Sequence, residues 1–422
     1  MNQPQQQSHL ARTYAGRLVT GLSLATILAL TLYPTRSRTA EWTCIFCGTF
    51  SVADAILNVL LFVPFGAGLA LMRVPLKRSL FVAILVPIAI ELAQSGIPGR
   101  DASIGDLITN TFGCGIGYGA IMSATWCFLP SHRQASLLSL VAAVVVVGSV
   151  TVTGGLVQPS FPQSRYFAQW TPDFDHMARY RGKVLDARIG LLALPPQSVE
   201  QTDSFTAMWF DGDPIRIRAV TGPPVFALAP LFSISDNHER EILLVGPDRR
   251  DLVFRYRTRS ISWRLHQPAI TIPDGMAQDL GDTTTIDIWR DGKQHCVTVN
   301  ADRHCGLGFT AGMAWTLLIG SSGFSAGLTT LLNAAWVAVL LLPLGFWTRP
   351  SLGSVGTLAI AVLGLTWVPQ AVGLLATPVT EWLGAAAGYG TGAWLGTLAR
   401  RVQNHAPSGG SPHVRAGSNP AG

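Results

Sequence analysis

A chain of 422 residues that is 48% hydrophobic and only 13% charged is too apolar for an ordinary soluble protein and too long for one domain. Its mean hydropathy is +0.34. The net charge of +6 would point to nucleic acid if the basic residues gathered on one soluble face, but they flank apolar runs instead, which removes nucleic acid as a partner.

Apolar runs long enough to cross a bilayer, roughly 20 residues, recur in two clusters. Eight segments fit: 14–33, 52–72, 79–94, 103–128, 135–152, 325–347, 354–375 and 378–399. The first follows Arg12 and Arg17 and lacks a small-residue cleavage site, so it reads as an uncleaved helix rather than a signal peptide. With alternate crossings, Arg12, Arg17, Arg73, Lys77, Arg78, Arg133, Arg349, Arg400 and Arg401 all fall on one side. The positive-inside rule makes that side cytoplasmic, with both termini inside a plasma membrane and the stretch between the fifth and sixth helices outside. The expected organisation is a five-helix membrane domain at 10–152, an extracytoplasmic all-β sandwich at 153–322, a three-helix membrane segment at 323–401 and a disordered Gly/Pro/Ser-rich tail at 402–422.

Between the first two helices, WTCIFCG carries Cys44 and Cys47 in a loop expected to lie outside. An oxidising compartment allows a disulfide there, the favoured reading; a redox pair or half a zinc site is the lesser alternative, because no βαβ pattern or second ligand pair accompanies the CxxC. Cys114 and Cys127 read as small apolar helix residues.

The next three helices bring polar groups to one depth. Asp54 and Asn58 lie at the outer end of the second helix, Glu91 and Gln94 at the outer end of the third. Arg100 and Ser103 sit in the turn before the fourth helix, and Asp106 and Asn110 in its first turns. The i, i+4 spacing of Asp54 with Asn58 and of Asp106 with Asn110 keeps each pair on one helix face, as i, i+3 does for Glu91 and Gln94. Asp106 alone reads as well as a helix-start residue. The set together reads as an outward-facing site, because unpaired ionisable groups in lipid are expensive. Arg100 offers a planar fork for phosphate or carboxylate. The carboxylates suit a hard divalent cation, sugar hydroxyls or acid–base work. No cofactor motif accompanies them. Gly113 and Gly117, four apart in GCGIGYG, have the small-xxx-small spacing of closely packed helices; a dinucleotide loop is ruled out because no strand precedes it.

DAILNVLLFVPFG (54–66), ELAQ (91–94) and RDASIGDLITNTFGCGIG (100–117) resemble the VanZ-like family of membrane proteins over roughly residues 10 to 150. The family takes its name from a protein linked to low-level resistance to teicoplanin, a glycopeptide antibiotic that acts on cell-wall precursors outside the membrane. The resemblance implies an envelope role without supplying a reaction. By motif position it carries over to Asp54, Asn58, Glu91, Gln94, Arg100, Ser103, Asp106 and Asn110, all of which match.

In the polar stretch, FTAMWFDGD, PIRIRAV, PVFALAPLFSISD, EILLVGP, DLVFRYRTR, SISWRLHQ, TIDIWRDGK, HCVTVN and TLLIGSS read as strands, which indicates a sandwich or barrel. Cys296 and Cys305, at the two ends of CVTVNADRHC, sit on arms of a hairpin that could pair them. The strand rhythm resembles the concanavalin A-like, laminin-G-like jelly roll, which implies a glycan or a protein as partner of this domain. Trp170, Trp209, Trp263 and Trp289 are candidate sugar platforms, though a sandwich tryptophan is more often core. Asp211, Asp213 and Asp236 could help hold Ca²⁺, but turn formation accounts for them as well.

The last three helices echo helices two to four. LLLPLG (340–345) parallels LFVPFG, VPQAVGLLA (368–376) parallels VPIAIELA, and TPVTEWLGAAAGYGTG (377–392) parallels ASIGDLITNTFGCGIG. Asn333 then stands where Asp54 is, Gly373 where Glu91 is, Glu381 where Asp106 is and Ala385 where Asn110 is. Chance likeness between apolar helices is the competing account.

The expected function is an envelope membrane protein whose outer pocket binds a membrane lipid, a lipid-linked cell-wall head group or a glycopeptide head group, and whose external domain binds a glycan or a partner. One alternative is an enzyme acting on such a head group, with Glu91 or Asp106 as base and Arg100 on phosphate. The other is a transporter, disfavoured because the polar residues stop at the outer end.

Overall fold

The structure is a computed structural model describing residues 3–33, 51–97, 103–175, 177–199, 201–276, 279–321 and 323–405. Arg100, Cys44, Cys47 and the tail beyond 405 lie outside the described residues.

The chain begins with helices α1 (Gln3–Thr31), α2 (Val52–Leu71), α3 (Leu76–Gln94), α4 (Ile104–Met122), the short α5 (Ala124–Phe128) and α6 (His132–Leu156). Ser51 caps α2 by accepting from the Asp54 amide. A capping box of Ser131 and Gln134 starts α6. Each of the eight apolar runs falls on a helix, the last three on α9 (Ala326–Trp347), α10 (Leu352–Thr366) with the one-turn α11 (Val368–Ala371), and α12 (Val379–His405). Among the described residues four helices are long and apolar enough to cross a membrane: Leu10–Thr31, Val52–Leu71, His132–Leu156 and Ala326–Trp347. Helices α3, α4 and α12 dilute their apolar runs with charged residues, amides or many glycines, and α10 has only 15 residues.

Helices α2 and α4 touch backbone to backbone. A Cβ on Gly66 would overlap the Cys114 carbonyl, one on Gly113 the Val59 carbonyl and one on Gly117 the Val63 carbonyl. The small-xxx-small spacing of Gly113 and Gly117 is therefore used as a contact face. The α9–α12 pair makes the same three approaches: Gly345 to the Tyr389 carbonyl, Gly388 to that of Ala338 and Gly392 to that of Leu342. Between the two halves, α6 packs on α10 through a Ser139–Thr357 hydroxyl pair at 3.0 Å. The Trp347 indole donates to the Cys127 carbonyl at 2.8 Å, and the Arg349 guanidinium to that of Pro130.

The segment between α6 and α9 is a sandwich of two six-stranded antiparallel sheets. Its strands are β1 (Tyr166–Trp170), β2 (Lys183–Ile189), β3 (Leu192–Ala193), β4 (Ser198–Val199), β5 (Ile215–Val220), β6 (Phe232–Asp236), β7 (Glu241–Asp248), β8 (Asp251–Tyr256), β9 (Ile270–Ile272), β10 (Thr283–Asp291), β11 (Gln294–Val299) and β12 (Asp302–Leu307). The sheets run β4-β1-β6-β7-β8-β9 and β12-β11-β10-β5-β2-β3. In β5, Ile215, Ile217 and Ala219 are buried while Arg216 and Arg218 face outward, the period-2 signature of a half-buried strand. Arg216 forks onto Asp287 across the β5–β10 pair, and Arg255 onto Glu241 across β7–β8.

Three of the expected strands are something else. FTAMWFDGD forms helix α7 (Thr202–Asp211), ended by Gly212 at φ 89. SISWRLHQ forms a 3₁₀ turn over Arg259–Trp263, and TLLIGSS begins with the one-turn helix α8 (Thr316–Ile319). Phe205 and Trp209 explain the first difference: their i, i+4 spacing turns both onto the inter-sheet core, where both are fully buried. Trp209 is thus a core residue and no sugar platform. The Asp236 carboxylate binds its own turn, accepting from the His238 and Arg240 amides and pairing with the Arg240 guanidinium at 2.7 Å. Cys296 and Cys305 are disulfide-bonded across β11 and β12.

Candidate functional site

The sandwich-facing ends of α2, α3 and α4 carry the polar cluster. Their side of the bundle is fixed by Ser51, just before α2, whose hydroxyl donates to the Arg264 carbonyl of the sandwich at 2.9 Å. The basic residues Arg133 and Arg349 lie at the opposite end, beside the α5–α6 turn and the end of α9.

Within the cluster, the Asn58 amide donates to Asp106 Oδ1 at 2.9 Å, joining α2 to α4. The Glu91 carboxylate accepts from the Ser103 backbone amide at 2.8 Å, joining α3 to the start of α4. The Glu91 carboxylate, with one N–H accepted, keeps lone pairs for further donors. Asn110 lies one turn below Asp106, is only 3% exposed, and its Oδ1 has no hydrogen-bond partner among the described residues. Buried amides are normally paired, so an orphan acceptor one turn from Asp106 is an exception with room for a donor.

The remaining residues are placed differently. Asp54 is exposed at the first turn of α2, where its backbone amide donates to the Ser51 hydroxyl at 3.3 Å and its carboxylate has no partner among the described residues. Gln94 is buried and donates to the Thr31 carbonyl at 2.9 Å, tying α3 to the end of α1 rather than facing Asp106. Two further polar links hold the scaffold: Thr111 donates to the Ala83 carbonyl at 3.1 Å and Tyr118 to the Val74 carbonyl at 3.0 Å. Both are single hydroxyls on apolar helices, with no spacing signal to single them out.

On the other helix pair, Glu381 is fully buried. It accepts from the Thr310 hydroxyl and, at 2.9 Å, from the Gly312 amide. Gly312 is wedged so tightly between Glu381 and the Asn333 carbonyl that a Cβ there would overlap the carboxylate. Asn333 Oδ1 accepts from the Trp315 indole at 2.8 Å. The turn leaving the sandwich is therefore seated between the ends of α9 and α12. Thr310 and Gly312 carried no sequence signal, because the contact is made by a backbone amide and a common hydroxyl.

In the sandwich, Trp170 uses its indole on the Leu194 carbonyl at 2.9 Å, Trp289 lies under the Arg303 guanidinium at 5.0 Å, and Trp263 is exposed. No group of three or more His, Cys, Asp or Glu with metal-binding geometry occurs among the described residues.

No curated protein and no solved structure matches the chain. A family model does match: VanZ/LLP1, over residues 2–128, the segment that holds α1 to α5 and the whole Asn58–Asp106–Glu91 cluster. Two of the four long apolar helices lie inside that match and two beyond it; the N-terminal helical part of the chain is similar to VanZ-like membrane proteins.

Proposed function

We propose that the chain is a cell-envelope membrane protein that binds the head group of a lipid or lipid-linked cell-wall precursor at the sandwich-facing ends of α2, α3 and α4. The observation that carries this reading is the pairing of Asn58 with Asp106 beside Glu91, above the orphan acceptor of Asn110. Such a site takes a head group rich in hydroxyl and amide donors, as sugars and peptides are. Arg100, a planar cation four residues before Ile104 in sequence, is assigned the phosphate of the same ligand.

In this reading the basic ends of the helices face the cytoplasm, which puts the cluster and the sandwich outside. The matching glycine-to-carbonyl approaches of α2–α4 and α9–α12 support a repeat of the first helix group in the second. The sandwich then serves as a partner- or glycan-binding module attached to the second copy.

The test is native mass spectrometry of the detergent-extracted protein incubated with undecaprenyl-linked muramyl pentapeptide, beside Asp106→Ala and Arg100→Ala variants. Retention by the parent and loss from both variants is expected. Equal retention by all three would reduce the cluster to helix packing.

A further inference from the structure

A second cavity lies away from the polar cluster, where the sandwich meets the α9–α12 pair. Its volume is about 550 Å³, inside the range of small-ligand pockets, which favour domain junctions. Its upper wall is the open end of the sandwich. Ile270 comes from β9 and Leu307 from β12, the edge strands of the two sheets. Its lower wall is Phe324, Thr329 and Asn333, before and along the first turns of α9, with Leu375 from the segment before α12.

Three features define what fits. None of the residues lining the cavity is charged, so a phosphate or a free carboxylate finds no counter-ion inside. The lining is mostly apolar, so burial of hydrocarbon supplies the driving force. Thr329 and Asn333 are four apart on one face of α9, and both line the cavity. Asn333 spends its Oδ1 on the Trp315 indole, which leaves its amide N–H₂ as a donor toward a neutral oxygen. α9 is itself one of the four helices apolar and long enough to span a membrane, so its first turns lie at the level where lipid chains meet their ester groups.

We propose that this junction is a lipid site, in which one ester-linked acyl chain of a membrane glycerolipid enters between β9 and β12 with its ester carbonyl on Asn333. The site is separate from the polar cluster of α2–α4 and does not depend on it.

The test is photolabelling of the purified full-length protein in phosphatidylcholine vesicles doped with a phosphatidylcholine bearing a diazirine in mid-chain, read by peptide mass spectrometry. A chain in the bilayer reaches only the helices, so label on Ile270–Ile272 and Asp302–Leu307 reports the cavity. The expected result is label on both strands that saturates with dose. Thr329→Trp and Ala376→Trp, each filling the space from a different wall, are expected to cut it at least fivefold; thermal unfolding shows which variant is folded and can be read. Label confined to helices would overturn the proposal. So would strand label that survives in a folded filled variant, or strand label obtained only with the same diazirine on a free fatty acid.

Discussion

His295 should make the sandwich acid-sensitive. Its ring is 3% exposed and packs among Tyr256 at 5.1 Å, Phe254 at 5.8 Å and Trp209 at 5.9 Å. Neither ring nitrogen makes a well-formed hydrogen bond among the described residues, the Leu307 carbonyl offering only a weak contact. Burial, reinforced by the Arg290 charge and only weakly opposed by the Leu307 carbonyl, pushes the imidazole pKa from 6.5 down to about 4. The unfolded chain therefore binds a proton between these two values that the folded chain refuses. The stabilisation is complete above pH 6.5 and disappears as pH falls toward 4. A gap of about 2.5 pKa units at 1.36 kcal/mol each corresponds to roughly 3 kcal/mol in total, of which about 2 is already lost at pH 5.

The assay is urea unfolding of the full-length protein in detergent, followed by tryptophan fluorescence between pH 7.5 and 4, beside His295→Phe. The phenylalanine keeps an aromatic ring in the cage and deletes two buried nitrogens that lack well-formed hydrogen bonds, so stability at pH 7.5 should hold or rise. The other histidines and the carboxylates titrate alike in both proteins, so the difference between the two curves isolates His295. It should grow by roughly 3 kcal/mol from pH 7.5 to 4. Parallel curves would refute the argument, as would an imidazole resonance for His295 that titrates near 6.5.

Gly117→Leu should destabilise the bundle by about 3 kcal/mol, the upper end of overpacking costs, because the Val63 carbonyl occupies the space a side chain needs. Gly115→Ala and Gly119→Ala, whose Cβ would meet nothing, should be neutral or stabilising by up to about 1 kcal/mol; thermal unfolding in detergent compares the three. Asn110→Leu should leave stability unchanged or raise it by about 1 kcal/mol, because it removes an orphan acceptor, while abolishing retention of the lipid-linked probe in native mass spectrometry. Reducing the Cys296–Cys305 bridge, whose cysteines are 9 apart in sequence, should cost the sandwich about 2.5 kcal/mol in the chain-entropy account, visible as a lower urea midpoint with reductant. Glu381→Gln should expose the Thr310 to Trp315 turn to faster hydrogen exchange without changing the exchange of β5 or β10, since the carboxylate holds that turn alone.

Elements with a sustained period were legible from composition alone. The apolar helices fell where their runs did, β5 and β10 alternate, and β7 is a continuous buried run. Strands of two or three residues, such as β3, β4 and β9, are too short to show any period. Helix α7 was hidden because Phe205 and Trp209, flanked by Thr206 and Ala207, satisfy a strand alternation as well as a helical one. In the site, helix depth and i, i+4 spacing located Asn58, Asp106 and Asn110 together. Depth says nothing about azimuth, which is why Gln94 shares the level yet faces the Thr31 carbonyl. The partner of Glu91 is a backbone amide, and backbone groups are the same at every position of a sequence.

The two helix pairs share a packing register and differ in how their carboxylates are used. In α2–α4, Asp106 receives a side chain, Asn58, from the facing helix. At the matching place in α9, one turn below Asn333, stands Val337, which cannot donate, and Glu381 takes its donors from Thr310 and Gly312 instead. A buried carboxylate without partners is strongly destabilising, and where Val337 offers no donor the turn leaving the sandwich supplies two. Glu381 therefore ties the sandwich to the α9–α12 pair, whereas the Asn58–Asp106 pair ties α2 to α4 with side chains of those two helices.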